Sequence, residues 1–293
     1  MIPAQRYLFI HEAQTESLKL KDHLLEQLKE SDMGLDYDFY AATSPDDALR
    51  HVSLYCDLHR ELDTCFVSCG GDALTAGVAA GLMGAGEGKS LAVFDPGGTN
   101  SLARYYEGRN FGSIANMLAG SFSDIDMIRI NNSYAVGACT FGLEGLSGSG
   151  GPGLMKSVSA VLRRSFRSVK ITADSIPLDA GTVLLFIIAN GKYAFGGLPC
   201  APRALNDDGK ADLCIVRNMP PTRLMKVLSL LVDGTLLDEP SLAADIIVRK
   251  VRNIKVESHK DLTIMADGRP LTGREFTVKL MPAAVRLVVP AAE

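Results

Sequence analysis

Four short strand-like runs, Tyr7–Ile10, Asp36–Ala41, Cys65–Ser68 and Leu91–Phe94, recur through about the first 125 residues, with helix-like segments between them. This rhythm is the strongest constraint in the chain. Parallel strands cannot be joined by a tight turn, and a helix is the usual crossover, so strand, helix, strand, helix argues for a parallel sheet with helices on both faces. After Glu16, the residues Leu18, Leu20, Leu24, Leu25 and Leu28 recur at helical spacing among charges. Ser44 before Pro45 predicts a capped helix running to about Leu58. Gly70-Gly71 ends the third strand abruptly, Leu74–Met83 is helical in pattern, and Pro96-Gly97-Gly98 follows the fourth strand.

Beyond Asp126 the pattern changes to many short β-branched and apolar runs: Met127–Ile130, Val169–Thr172, Val183–Ala189, Ala211–Val216, Ile246–Val248, Ile254–Glu257, Leu262–Met265, Glu275–Leu280 and Val285–Val289. Two helices interrupt them, about Leu154–Phe166 and Thr222–Val232. Such a series predicts an antiparallel sandwich or barrel. A boundary near Ser123–Ile128 follows. The total of 293 residues suits roughly two domains.

Hydrophobic residues make up 47% and charged residues 22% of the chain, enough to bury a core. A net charge of −4 offers polyanions no global attraction, which argues against a nucleic-acid partner. The longest apolar run, Val183–Ala189, falls far short of the roughly 20 residues that span a bilayer. The start resembles no secretory signal, so the expected location is cytoplasmic. The six cysteines contain no Cys-x-x-Cys pair and read as reduced core thiols. The five histidines show no metal-ligand spacing.

Two glycine loops carry the functional signal. Gly70-Gly71-Asp72 lies where a strand ends and a helix begins. Two glycines there permit positive φ and close approach of a ligand, and the helix start offers free amides to an anion. The same residues also fit a plain turn with Asp72 as helix cap. One βα unit later, Asp95-Pro96-Gly97-Gly98-Thr99-Asn100-Ser101-Leu102-Ala103-Arg104 supplies small residues, a hydroxyl and a guanidinium: a phosphate cradle, or a turn capped by Thr or Asn. Both loops fall at the carboxyl ends of sequential strands, the edge at which open α/β sheets bind ligands.

In this order, Gly-Gly-Asp and then Pro-x-Gly-Thr before a helix carrying Ala-Arg resemble the diacylglycerol kinase-like catalytic family, which includes bacterial lipid kinases and sphingosine kinases and is related to NAD kinases. Three later stretches continue the resemblance: Asn190-Gly191 through Gly196-Gly197, Ala201-Pro202-Arg203-Ala204 with Asp207-Asp208-Gly209-Lys210-Ala211-Asp212, and Ala266-Asp267-Gly268. It implies an NAD kinase-like nucleotide-binding domain over residues 1–126, completed by 281–293, and a β-rich lipid-binding domain over 127–280. It implies transfer of the γ-phosphoryl group of ATP to a lipid hydroxyl, diacylglycerol-like or related, in a cleft between the domains. Gly70, Gly71, Asp72, Gly98, Thr99 and Arg104 would surround the nucleotide phosphates. Asp267 would act as general base beside Asp72, and Asp208 and Asp212 would hold Mg2+. The partners would be nucleotide and a lipid at the inner membrane face, and the resemblance leaves room for a homodimer.

The family pattern is broken in five places. His11-Glu12-Ala13-Gln14 replaces its first Asn-Pro-x-x-Gly turn, and Ala73-Leu74 replaces a Gly-Thr. Gly77 stands at an acidic position, Ser101 at an aspartate, and Arg269 at a glutamate. A catalytically impaired nucleotide- or lipid-binding member is the alternative expectation, with an NAD kinase-like enzyme after it. Gly148–Gly153 reads as a loop. The basic groups Arg163, Arg164, Arg167, Lys170 and Arg249, Lys250, Arg252, Lys255 fit solvated faces or a surface drawn to anionic lipid.

Overall fold

The computed structural model describes residues 4–13, 17–30, 34–143 and 167–292. The helix expected at 154–166, the loop at 148–153, and Arg163 and Arg164 lie outside them. The chain divides into two compact units, Met1–Ile125 with Ala283–Glu293, and Asp126–Pro282.

In the first unit the order is β1 (Arg6–Glu12), α1 (Ser17–Glu30), β2 (Tyr37–Ala42), α2 (Pro45–Leu58), β3 (Thr64–Cys69), α3 (Asp72–Leu82), β4 (Lys89–Val93), α4 (Ser101–Tyr105) and α5 (Ile114–Leu118). β1 pairs in parallel with β2 and β3, and β3 pairs in parallel with β4. The end of the last strand, at Leu287, lies parallel to β4 at Leu91. Every residue of β3 and β4 is buried, as expected of strands covered on both faces. Cys65, Val67 and Cys69 of β3 join Leu24, Leu28, Ile114 and Leu118 in one core. The alternate residues Phe66 and Ser68 meet Tyr55 of α2 and Thr75 of α3. Ser44 caps α2 as expected, accepting from the Asp47 amide.

The second unit contains the end of β5 (Ser121–Ile130), then β6 (Ser133–Ala135), β7 (Ala138–Phe141), β8 (Arg167–Ala173), β9 (Ile176–Leu178), β10 (Thr182–Ala189), β11 (Ala211–Arg217), α6 (Pro221–Val232), β12 (Ile246–Val251), β13 (Asn253–Ala266) and most of β14 (Arg269–Val289). The pairings β10–β11, β10–β7, β11–β12, β13–β14 and β13–β8 are all antiparallel. The unbroken apolar run of β10 has a simple cause: Phe186 and Ile188 enter one core, and Leu185 and Ile187 enter another that α6 covers. Two expected pairs of strands are in fact single long ones. Ile254–Glu257 and Leu262–Met265 are both β13, with a register shift between them, and Glu275–Leu280 and Val285–Val289 are both β14.

All six cysteines are free and buried. Burial pushes the Cys65 and Cys214 thiols up to about 12, which keeps them protonated and unreactive.

Candidate functional site

The two glycine loops lie at the carboxyl ends of β3 and β4, neighbours in the sheet, and hydrogen bonds join them. Asp72 Oδ1 accepts from the Ser101 amide at 2.6 Å, and Asp72 Oδ2 from the Ser101 hydroxyl at 2.7 Å. The buried Asn100 amide donates to Gly70 O at 3.1 Å and to Thr75 Oγ1 at 2.8 Å. Thr75 in turn meets Ser68 Oγ at 2.9 Å. The second loop is folded around Asp95, whose carboxylate accepts from the Thr99 amide and hydroxyl and from the Asn100 amide. Asn100 then caps α4, its side-chain oxygen accepting from Leu102 and Ala103.

Several expectations change here. Neither Gly70 nor Gly71 takes positive φ; Gly71, at φ −73°, is itself the cap residue of α3, and Asp72 is the first residue of the helix. Gly70 instead serves closeness, since a Cβ there would meet Leu74 Cδ2 at 2.7 Å and displace that side chain. Leu74 is 1% exposed, so it replaces a hydroxyl within the core and does not border the loop surface. Gly98 does take positive φ, 62°, which only glycine adopts readily. Gly77 is explained by packing: a Cβ there would lie 2.3 Å from the Pro45 carbonyl oxygen, so no acidic side chain fits against α2. Residue-type reasoning passed over Asn100 and Thr75 as links. For Thr75 the available signal was its polarity inside the apolar α3; Asn100 was legible only as a cap.

Gly98 and Arg104 line an open pocket of about 590 Å³, together with Asp95, Tyr106, Arg109 and Phe111. Its size is that of a small-molecule site. Arg109 also donates to Pro290 O at 3.4 Å.

In the second unit Asp267 is 5% exposed and sits with Gly268 in the two-residue turn between β13 and β14. Their φ values are 45° and 82°, so the turn is of the mirror-image kind that Asp-Gly favours. The Asp267 carboxylate reaches the start of β7. Oδ2 accepts from the Val136 amide at 2.6 Å, Oδ1 from the Ala138 amide at 2.8 Å, and Gly137 N lies 3.1 and 3.2 Å from the two oxygens. A Cβ at Gly137 would meet Oδ1 at 2.9 Å. Asn190 supports the same segment, donating to Val136 O and Asp126 O while its backbone amide donates to Gly137 O. The carboxylate expected as base is thus gripped by three backbone amides. Val136–Ala138 carry no sequence motif and were missed.

Asp208 and Asp212 are brought together, but around a lysine. Lys250 Nζ lies 2.5 Å from Asp208 Oδ2 and 3.4 Å from Asp212 Oδ2. Burial raises the Asp212 carboxyl, with Lys250 opposing and Asp208 adding to the rise. Among the described residues no group of three His, Cys, Asp or Glu could hold a metal ion. With the Lys250 ammonium lodged between them, Asp208 and Asp212 do not fit Mg2+ in this arrangement. Other cations of the basic groups are also paired: Lys255 with Glu257 and Glu275, and Lys170 with Glu257. No helix among the described residues is long and apolar enough to cross a membrane.

Comparison with known proteins agrees with these features. Residues 154–289 match the family model of the YegS C-terminal NAD kinase beta sandwich-like domain. A "Probable lipid kinase YegS-like" protein of Pectobacterium atrosepticum is 26% identical over 185 residues, 59% of each chain. One of the same name from Pseudomonas aeruginosa is 36% identical over 112 residues, 38% of this chain and 35% of the relative. The matched segments thus span no more than about three fifths of these relatives. A crystal structure of a diacylglycerol kinase from Bacillus anthracis shares the fold, with a TM-score of 0.72, 19% identity, and coverage of 99% of this chain and 98% of that one. The C-terminal part of the chain is thus similar to the YegS NAD kinase beta sandwich-like domain, more than half of it to YegS-like lipid kinases, and its fold to that of a diacylglycerol kinase.

Proposed function

We propose that this chain is a lipid kinase that transfers the γ-phosphoryl group of ATP to the hydroxyl of a diacylglycerol-like lipid at a membrane surface. The observation that carries the reading is the joining of the two glycine loops by Asp72–Ser101 and Asn100–Gly70 at the carboxyl edge of adjacent parallel strands. A fixed pair of loops of this kind holds small residues and backbone amides ready for phosphate oxygens, so positioning costs little when nucleotide arrives. Gly70, Gly71, Gly98, Thr99 and Arg104 would border the phosphates, with Mg2+ brought by the nucleotide itself. Asp267 would take the lipid hydroxyl proton, which requires it to surrender an amide partner.

A second reading is a binding member without turnover. It draws on the occupied state of both carboxylates assigned chemical roles, Asp72 by Ser101 and Asp267 by residues 136–138. One pair of experiments separates the two. Calorimetry with ATP, with and without Mg2+, on the wild type and Ser101→Ala tests the joined loops. Transfer of labelled phosphate from ATP to diacylglycerol in mixed micelles tests turnover. Binding with transfer supports the kinase. Binding without transfer supports the second reading, and absence of binding at millimolar ATP removes the kinase and leaves the second reading as a lipid-binding member.

A further inference from the structure

The turn that joins the approach to β11 with its first residues is closed by the chain's own cations. Asp212 and Lys250 stand directly opposite each other in the antiparallel β11–β12 register, where cross-strand partners are close enough to pair. Asp208, four residues earlier, bends back to the same ammonium at 2.5 Å, and its other oxygen accepts from the Lys210 amide at 3.0 Å. Arg252 Nε donates to Gly209 O at 3.2 Å, and the Gly209 amide donates to the buried Asp126 carboxylate at 2.7 Å. Of the oxygens that a hard divalent cation would need, those of Asp208 and the Gly209 carbonyl accept hydrogen bonds from this chain, and Asp212 Oδ2 faces the same ammonium at ion-pair distance, 3.4 Å.

We propose that Lys250 is a built-in counter-ion that takes the place of a divalent cation at the 208–212 turn, so that the second unit holds its fold without metal at this position. The argument is one of charge and coordination. A calcium or magnesium ion needs about six or more oxygens at close range. Here it would have to enter beside an ammonium already lodged between the carboxylates, at a separation where like charges repel strongly. The side chains of Asp208, Asp212 and Lys250 are 22%, 16% and 38% exposed, so the pair is only partly screened by solvent. One consequence rests on the proposed kinase activity: its divalent requirement would come from the metal carried with nucleotide, and not from this turn.

The test is thermal unfolding of the full chain in EDTA and in Ca2+ or Mg2+, for wild type, Asp208→Asn, Lys250→Met and Lys250→Met/Asp208→Asn. Wild type and Asp208→Asn should respond to divalent ions identically. Lys250→Met should unfold several degrees lower in EDTA and recover much of that loss when Ca2+ is added; the double variant should lose the recovery. A Lys250→Met protein with no more response to Ca2+ than wild type overturns the proposal. A second measurement needs no Lys250 variant: calorimetric titration of Ca2+ alone into wild type and Asp208→Asn. Superimposable isotherms support the proposal, and a binding event lost only in Asp208→Asn overturns it. Neither readout depends on catalysis, so failure here is distinct from failure of the kinase reading.

Discussion

Replacing Asp267 by Asn separates a structural carboxylate from a chemical one. The substitution keeps size and shape, and Asn accepts the left-handed backbone at φ 45° as readily as Asp, so the turn itself is not strained. What changes is one oxygen. Val136 N at 2.6 Å and Ala138 N at 2.8 Å approach different oxygens. Whichever way the new amide turns, one of these N–H groups faces an NH2. That donor is buried and loses its acceptor, at a cost of about 1–3 kcal/mol, while the remaining bonds lose a charged acceptor worth about 1.5–3 kcal/mol to each donor. We expect a net loss of about 3–4 kcal/mol in the stability of the second unit. The chain has no tryptophan and eight tyrosines, so urea unfolding is best followed by far-ultraviolet circular dichroism with tyrosine fluorescence. A loss below about 0.5 kcal/mol, the range of an ordinary surface substitution, would refute the structural role. If phosphoryl transfer then vanished in the same stable variant, Asp267 would be a chemical base.

Lys89, 6% exposed, donates to the carbonyl oxygens of His59, Arg60 and Leu62 just beyond α2, at 2.8 Å to His59. Lys89→Met should cost about 2–4 kcal/mol in denaturant unfolding, because three carbonyls lose a charged donor. Gly77→Ala should destabilise the first unit by about 2 kcal/mol, since overpacking against the Pro45 backbone exceeds the roughly 1 kcal/mol that Ala gains in a helix; a rise in melting temperature would contradict this. His51 stacks on Tyr40 with centroids 3.5 Å apart. Burial lowers it from 6.5, with Asp47 and Asp38 opposing. The unfolded chain therefore takes up the proton first, and stability should fall on acidification through 6.5 and level off below the folded value. His51→Phe should flatten that slope, measured as melting temperature across mildly acidic pH.

Much of the first unit was legible because its signals are local. Ser44-Pro45 needs only its own helix to be read, and β3 and β4 are apolar because they are covered on both faces. The second unit hides its register. Nothing local to Ile254–Glu257 and Leu262–Met265 says they form one bulged strand, and β6, β7 and β9 are too short to rise above their surroundings. At the site, spacing located the two loops, yet the partners of each carboxylate could not be read from it. Asp72 meets Ser101 across 29 residues, and Asp267 meets Val136 across 131. Asp267-Gly268 is also a local hairpin signal, and that reading accounts for its backbone. Lys250 looked like one of a basic surface group until the β11–β12 register set it opposite Asp212.

The three carboxylate positions differ in how easily their present partners can be displaced, and this orders the chemistry open to the chain. Asp72 holds a hydroxyl and one amide at the start of the short α4. A hydroxyl rotates away at the cost of one hydrogen bond, about 1.5–3 kcal/mol to a charged acceptor, well within what a bound nucleotide supplies. Lys250 is a flexible, partly exposed side chain that a competing cation must expel against its charge. Asp267 is held by backbone amides that cannot rotate away as a side chain does: Ala138 opens β7 in the sheet, and Val136 and Gly137 lead directly into it. Displacement should therefore be easiest at the nucleotide loops and hardest at the expected base. If phosphoryl transfer occurs, Asp267 must give up one of these amide hydrogen bonds to take its proton, and Gly137→Ala, by crowding Oδ1, should lower turnover more than it lowers ATP affinity. Equal losses in both would mean that the carboxylate serves only the fold.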